Sequence, residues 1–409
     1  MIYMNKKLAT NVTNAVKDQE QRKALNAWAK SGYVGSIIAG TGFGKSRCAI
    51  LAIGLVIRKY EGKGLLLVPT TQLQDQFKLE FIKWGYEDVL DNVDILCYQS
   101  AHKIVDTHYS IVVCDEVHLG LSPVYRKFFE NNTYDRLLCM TATLPEEAEY
   151  RELLINLAPI SYHISLDSCV ALGLVAPYDV YCIPVDMTAE EAATYKKANN
   201  LFVHAKYRLG QFDAFNNAQA ILANKMPGDK AAAAMFYKAI KDRKEVVQHA
   251  TIKLDAAQKI AENYKSKKVL VFSGTNSFTD DMAKTLGGLS YHSGKSKATR
   301  ERILQKFKNG ENTILCSTKA LNQGFDVADS EVGIIAGLDS KTLPMIQRVG
   351  RLLRLSENKV GKIFILYVRD SQEQKWLENA VSKLNNVQWL NSIEDVLNLF
   401  NTKQEQAEV

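Results

Sequence analysis

Short runs of consecutive apolar residues alternate with amphipathic stretches over two long regions of this 409-residue chain. In the first region the apolar runs fall at 34–39, 65–68, 93–96, 111–114 and 137–140, with helix-spaced apolar residues at 46–60 and 72–84. Runs without polar alternation mark strands buried on both faces. Their alternation with helices predicts a parallel sheet covered on each side. The theme returns downstream, with strands expected at 269–273, 289–292, 313–317, 333–336 and 363–368 and helices at 280–286, 298–308 and 342–352. The expected fold class is α/β, with two tandem parallel-sheet domains, each of a size that can fold alone.

The segment 186–265 breaks this pattern. It is rich in Ala and Lys, is poor in strand signals, and predicts helices at 189–207, 211–223, 230–249 and 253–265, with a turn at Pro227-Gly228-Asp229. It reads as a helical insertion on the second domain. Its basic residues form either a solvated face or a nucleic-acid surface. Residues 370–400 read as closing helices with Leu377, Val381, Leu384 and Trp389 facing inward, and 401–409 as a frayed tail. The expected division is therefore 1–165, then 166–370 with the insertion 186–265, then 371–409. No internal repeat or low-complexity segment interrupts it.

Charge and cysteine content refine the picture only slightly. With 51 basic and 45 acidic residues the net charge is +6, which permits a polyanionic partner without requiring one. No apolar run reaches transmembrane length and the start of the chain lacks a signal-peptide stretch, so a cytoplasmic location and no membrane partner are expected. The seven cysteines form no C-x-x-C pair and sit mostly in strand-like runs. They read as small buried hydrophobes in a reducing compartment rather than zinc ligands or disulfides.

The chemistry is concentrated at two strand ends. Ala39-Gly40-Thr41-Gly42-Phe43-Gly44-Lys45-Ser46 follows a strand and opens a helix. Gly40, Gly42 and Gly44 let the backbone curl around Thr41 so that successive N–H groups face phosphate oxygens, aided by the helix N-terminus. Lys45 would reach the β- and γ-phosphates and Ser46 would offer its hydroxyl to Mg²⁺. Phe43 is a bulky residue in such a loop, and its ring needs a pocket. Asp115-Glu116 follows the run 111–114, at the sheet edge beside that loop. Asp115 would hold the metal and Glu116 would orient the attacking water. ATP and Mg²⁺ are the expected cofactors. Thr141-Ala142-Thr143 ends another strand at the same edge; taken alone it also reads as a turn or a helix cap.

These residues, in this order, resemble the superfamily 2 helicases and translocases with a DExH-type box. The resemblance spans about residues 18 to 370 and implies RecA-like domains. Gln21 stands where that family has an adenine-reading glutamine. Pro69-Thr70 matches a motif touching the nucleic-acid backbone, Asp115-Glu116-Val117-His118 the second motif, and Thr141 to Thr143 the third. Gly173-Leu174-Val175-Ala176-Pro177 is similar to the inter-domain passage of the type III restriction and XPB branch, and the compact form is similar to phage UvsW-type relatives. Val269 to Gly274, including Ser273, resembles the fourth motif. Ser317 to Asp326, with Thr318, Gly324 and Asp326, resembles the fifth, and Gln347-Arg348-Val349-Gly350-Arg351-Leu352-Leu353-Arg354 the sixth.

The resemblance implies roles. Arg351 and Arg354 would be arginine fingers on the γ-phosphate, Gln347 would pair with His118 or the attacking water, and Asp326 would contact the ribose or the hydrolysis machinery, with Gly324 beside it. Thr70, Ser100, Ser273 and Thr318, with Pro69, would meet nucleic-acid phosphates without reading bases. The expected activity is nucleic-acid-stimulated ATP hydrolysis. It would drive alternating closure of the two domains and unwinding or remodelling of forked or branched DNA. DNA is favoured over RNA on resemblance alone, as is 3′-to-5′ movement. A monomer is expected, working with phage or bacterial replication and recombination proteins. Three other readings stay open: a duplex translocase without unwinding that serves a separate nuclease, an RNA helicase, and an ATP-gated binding scaffold. The insertion would guide or clamp the substrate.

Overall fold

The computed structural model describes residues 2–40, 42–145, 147–174, 178–318, 330, 332–339, 361–382, 384 and 386–398. They fall into two compact units that part between Pro177 and Tyr178. The expected division lay at 165/166. The strand that opens at Tyr178 is hydrogen-bonded into the second sheet, which is why the chain changes unit there.

The first unit begins with a long helix α1 (Ile2–Lys30), followed by β1 (Val34–Ala39), α2 (Lys45–Tyr60), β2 (Gly64–Val68), α3 (Thr71–Lys83) and β3 (Val93–Cys97). Next come α4 (Tyr98–Ala101), β4 (His108–Tyr109), β5 (Ile111–Cys114), α5 (Lys127–Asn131), β6 (Thr133–Tyr134), β7 (Leu137–Thr141), α6 (Ala148–Leu157), β8 (Ile160–Ile164) and α7 (Leu166–Ala171). Six strands form one sheet in the order β3-β2-β5-β7-β1-β8, and every pairing is parallel. The five expected strands are all present; four are buried, because helices cover both faces, while β3 at the sheet edge is only partly so. Strand β8 was not foreseen. It is an edge strand with a largely exposed, polar face, so it carries no continuous apolar run.

Helix α1 was also unforeseen. Its last turns bury Ala24 and Trp28 against the sheet, where the indole N–H donates to the carbonyl of Leu137 at 2.9 Å. That packing stabilises a helix whose apolar positions are too sparse to announce it. It also places Gln21 on a helix beside the loop after β1.

The second unit holds β9 (Tyr178–Val185), α8 (Ala189–Arg208), α9 (Ala214–Leu222), α10 (Lys230–Gln248), α11 (Ile252–Glu262), β10 (Val269–Phe272), α12 (Asn276–Leu286), β11 (Leu289–Tyr291), α13 (Lys297–Lys308) and β12 (Ile314–Ser317). Then follow β13 (Val332–Ile335), β14 (Gly361–Val368), a helix Gln372–Val381 and β15 (Val387–Trp389). The sheet order is β11-β12-β10-β13-β14-β9-β15. The four insertion helices occur where expected. They divide by packing: α11 joins the main core through Ala256, Ala257 and Ile260, whereas α8, α9 and α10 share a separate small core around Leu209, Ile221 and Phe236.

The segment 370–400 is not all helical. Leu377 and Val381 are buried as expected, but β15 adds an edge strand parallel to β9, and Trp389 on it is 45% exposed. Its ring packs edge-on against Tyr367. Three residues are too few to show a strand period, so only pairing with β9 reveals it. The expected helix at 342–352 lies outside the described residues. All seven cysteines are buried and unpaired. Among the described residues, no helix is long and apolar enough to cross a membrane.

Candidate nucleotide site

Three neighbouring strand ends build the site in the first unit. Register pairs Ile38 with Thr141 and Cys114 with Cys139, so β1, β7 and β5 end side by side. The loop after β1 thus lies next to Thr141, and Asp115-Glu116 lies on its other side. Residues from three distant stretches meet because consecutive strands in the chain are not neighbours in the sheet.

The loop itself has the backbone that phosphate binding requires. Gly42 and Gly44 adopt positive φ, 95° and 92°, which a residue with a Cβ rarely takes. Gly44 caps α2, whose N-terminus opens at Lys45. Lys45 Nζ donates to the carbonyl of Ala39 at 2.9 Å, curled back across the loop's own mouth. Phe43 does have its pocket: the ring is fully buried and lies 5.9 Å from that of Tyr162. Thr41 lies outside the described residues.

Gln21 is 1% exposed, and both ends of its carboxamide are engaged. Nε2 donates to the carbonyl of Phe43 at 2.8 Å, and Oε1 accepts from Arg47 Nη1 at 2.7 Å. Arg47 also pairs with Asp18 and stacks 4.4 Å from the centre of the Trp84 ring. In this conformation Gln21 therefore braces the phosphate loop rather than presenting a free amide to a base. Arg47 went unnoticed in the sequence, where it is simply the residue after Lys45-Ser46; nothing in the local pattern ties it to Gln21.

At the second strand end, Asp115 and Glu116 differ sharply. Asp115 continues the sheet, its N–H donating to Leu67 at 2.9 Å. Its carbonyl accepts from the buried Tyr98 hydroxyl at 2.8 Å, a support that the sequence did not signal. Burial is the main reason its carboxyl is pushed up to about 7; the Glu116 charge adds to this and Lys45 opposes it. Two crowded carboxylates at a strand end, with a serine hydroxyl one helix start away, are hard oxygen donors that suit Mg²⁺. Glu116 takes a left-handed backbone, φ 49° and ψ 53°, which costs about 1–2 kcal/mol for a residue with a side chain. That turn directs its carboxylate towards β7. Thr141 Oγ1 lies 3.4 Å from Glu116 Oε2 and 3.1 Å from the Thr143 carbonyl. His118 Nδ1 lies 3.2 Å from that hydroxyl and 3.5 Å from the same carboxylate oxygen. The second and third motifs thus form one polar cluster.

The expected nucleic-acid residues divide. Pro69 is buried, while Thr70 caps α3 and holds a buried Oγ1 with no hydrogen-bond partner. Ser100 is exposed on α4. Ser273 is buried, and its hydroxyl bonds the Thr275 carbonyl at 3.1 Å and Thr279 Oγ1 at 2.5 Å. That hydroxyl is turned inward beneath the Thr275 cap of α12. Thr318 is also buried. Gly324, Asp326, Gln347, Arg351 and Arg354 lie outside the described residues.

Both units have the fold of RecA-like helicase domains, two parallel-sheet α/β bodies in tandem. Residues 14–146 match the family described as the res subunit of type III restriction enzymes, and residues 252–356 match the helicase conserved C-terminal domain. A curated relative from Sulfurisphaera tokodaii, the DNA 3'-5' translocase XPB2, is 26% identical over 365 residues, covering 85% of this chain and 80% of the relative. The putative DNA 3'-5' helicase Rad25 of Haloarcula marismortui is 23% identical over 372 residues; the chain spans about half of that protein's length, 52%. Among solved structures, Dbp5 of S. cerevisiae bound to RNA and ADP BeF3 has a TM-score of 0.60 at 13% identity, covering 94% of this chain and 92% of that one. The chain belongs to the superfamily 2 helicases, in the branch of the type III restriction enzymes and XPB, and is an ATP-hydrolysing enzyme.

Proposed function

We propose that this chain is a DNA-stimulated ATPase that moves 3′-to-5′ along DNA and opens or remodels forked and branched duplexes. The observation that carries the reading is the convergence of the glycine loop, the Asp115-Glu116 pair and Thr141 on three adjacent strand ends. Lys45 would hold the β- and γ-phosphates, Ser46 and Asp115 would hold Mg²⁺, and Glu116, oriented by Thr141 and His118, would position the attacking water. When bound, the metal neutralises phosphate charge. Gln21 would sense the nucleotide through its grip on Phe43 and would meet the adenine only after releasing Arg47. Arg351 and Arg354 are assigned to the γ-phosphate by their motif, where such arginines contribute about 10³–10⁵ in rate. Phosphate loss would then drive the alternate closing and opening of the units.

DNA is favoured because curated relatives that match over most of the chain are named for DNA. The word translocase in the first of those names supports a second reading, movement on duplex DNA without strand separation. The test is ATP hydrolysis without nucleic acid and with single-stranded DNA, forked DNA or RNA, with Lys45→Ala as control. Stimulation by DNA that is lost in Lys45→Ala is expected. Equal rates with and without every nucleic acid would sink the reading, and stimulation by RNA alone would redirect it. Strand displacement on forked and blunt substrates separates unwinding from translocation. Binding should fall steeply with salt, since phosphates dominate the contact.

A further inference from the structure

The insertion core is complete without the residue at its α8–α9 turn. Leu209 and Ala214 are buried on either side, and between them Phe212 is 99% exposed. The turn is ordered rather than loose. Gly210 and Gln211 take positive φ, the Gln211 N–H donates to Lys206 at 3.1 Å, the Asp213 N–H donates to Gly210 at 3.1 Å, and Asn217 Nδ2 ties down the Leu209 carbonyl at 2.8 Å. This backbone presents the ring to solvent. Tyr207 and Phe215, flanking the same turn, are 76% and 57% exposed. Three largely exposed rings around one turn are apolar surface left outside the small core.

Charge says what would meet that surface. Residues 189–250 carry ten basic and six acidic side chains. Lys196, Lys197, Lys225 and Lys230 are exposed on or beside the same three helices. Exposed rings on a net-basic helical segment suit unpaired nucleotides: bases stack on the rings, and ammonium groups elsewhere on the helices meet the phosphates. We propose that Phe212 is a stacking tip for an unpaired base of the nucleic-acid substrate, with Tyr207 and Phe215 extending the platform. This rests on the nucleic-acid reading above and specifies where the insertion grips.

The experiment uses the full chain and a fluorescently labelled fork with single-stranded DNA arms, with binding followed by anisotropy across a salt series. Phe212→Ala should weaken binding about 5- to 150-fold, the range for loss of one stacked base, with the salt slope unchanged because phosphate contacts survive. Phe212→Trp should retain affinity, and Leu79→Ala, an exposed apolar residue on α3, should bind like wild type. Since the ring touches solvent, the unfolding temperature of Phe212→Ala should match wild type. Wild-type affinity in Phe212→Ala, or a lowered unfolding temperature, overturns the proposal. If the wild type binds neither this fork nor RNA, the nucleic-acid reading itself falls, and the stacking tip with it.

Discussion

Replacing Lys253 by Met would strand the Glu373 carboxylate in the interior of the second unit. Both side chains are 0% exposed. Lys253 Nζ sits 2.8 and 2.7 Å from the two carboxylate oxygens, and 2.8 and 2.9 Å from the carbonyls of Val247 and Ala336. Glu373 also accepts from the N–H groups of Leu338 and Val368. The pair thus joins the start of α11 to the ends of β13 and β14. Removing the lysine leaves two weak donors on a buried charge and frees two carbonyls. Breaking such a pair costs about 3–5 kcal/mol, a large share of the ~5–15 kcal/mol that holds a domain. For a unit of this size that lowers the melting temperature by roughly 6–20 °C.

The loss should depend on pH. Burial is the main force pushing Glu373 up, and the Lys253 charge opposes it. Without Lys253 the folded carboxyl sits higher still. A raised folded pKa favours the folded state below the unfolded value, and that advantage is lost as pH rises through the folded one. The Lys253→Met deficit should therefore grow from pH 5 to pH 8. The double variant Lys253→Met/Glu373→Leu removes both charges and should recover most of the loss. Hydrogen exchange at Leu338 and Val368, together with thermal unfolding at both pH values, reads the effect in this unit. A single variant within about 1 kcal/mol of wild type, or a double variant no better than the single, would refute the reasoning.

Gly44→Ala should abolish nucleotide binding and cost at least ~1 kcal/mol, because its φ is 92° and a Cβ would lie 2.3 Å from Gln21 Nε2; titration with a fluorescent ATP analogue and a melting curve measure both. Phe43→Ala should cost about 3–5 kcal/mol by emptying the pocket against Tyr162, and should weaken nucleotide affinity as the loop slackens; denaturant unfolding checks the first effect. Burial would raise the Asp280 carboxyl, but hydrogen bonds from Ser290, Lys295 and His292 outweigh it and hold the group down at about 2. Its contribution is therefore present above the ordinary value of 3.8 and lost as pH falls towards 2. The stability gap between wild type and Asp280→Asn should narrow between pH 6 and pH 3.

Most of the central strands could be read directly from the chain. Runs such as Ile111-Val112-Val113-Cys114 are buried on both faces, so burial alone writes them as unbroken apolar letters. The edge strands β3 and β11 were still legible, but other edge elements left no such mark. Strands β8 and β15 are partly exposed, and α1 is held by Trp28 bonding to Leu137, more than a hundred positions away. The phosphate loop and the acidic pair were also legible, because their chemistry needs particular residues at short spacing. The braces around them were not: Arg47 on Gln21 and Tyr98 on Asp115 are contacts between separate elements. Nor did the motif reveal that the fold turns the Ser273 hydroxyl inward onto Thr279.

What the chain by itself determined is local: which stretches are strand or helix, and which residue types stand ready for phosphate and metal. The tertiary structure alone decided which strand ends lie together, which polar groups are shielded, and that Lys253 and Glu373, 120 positions apart, share one dry site. The physical reason is range. Hydrophobic period and turn chemistry act over a few residues, whereas strand order and burial depend on how the whole chain closes around its cores.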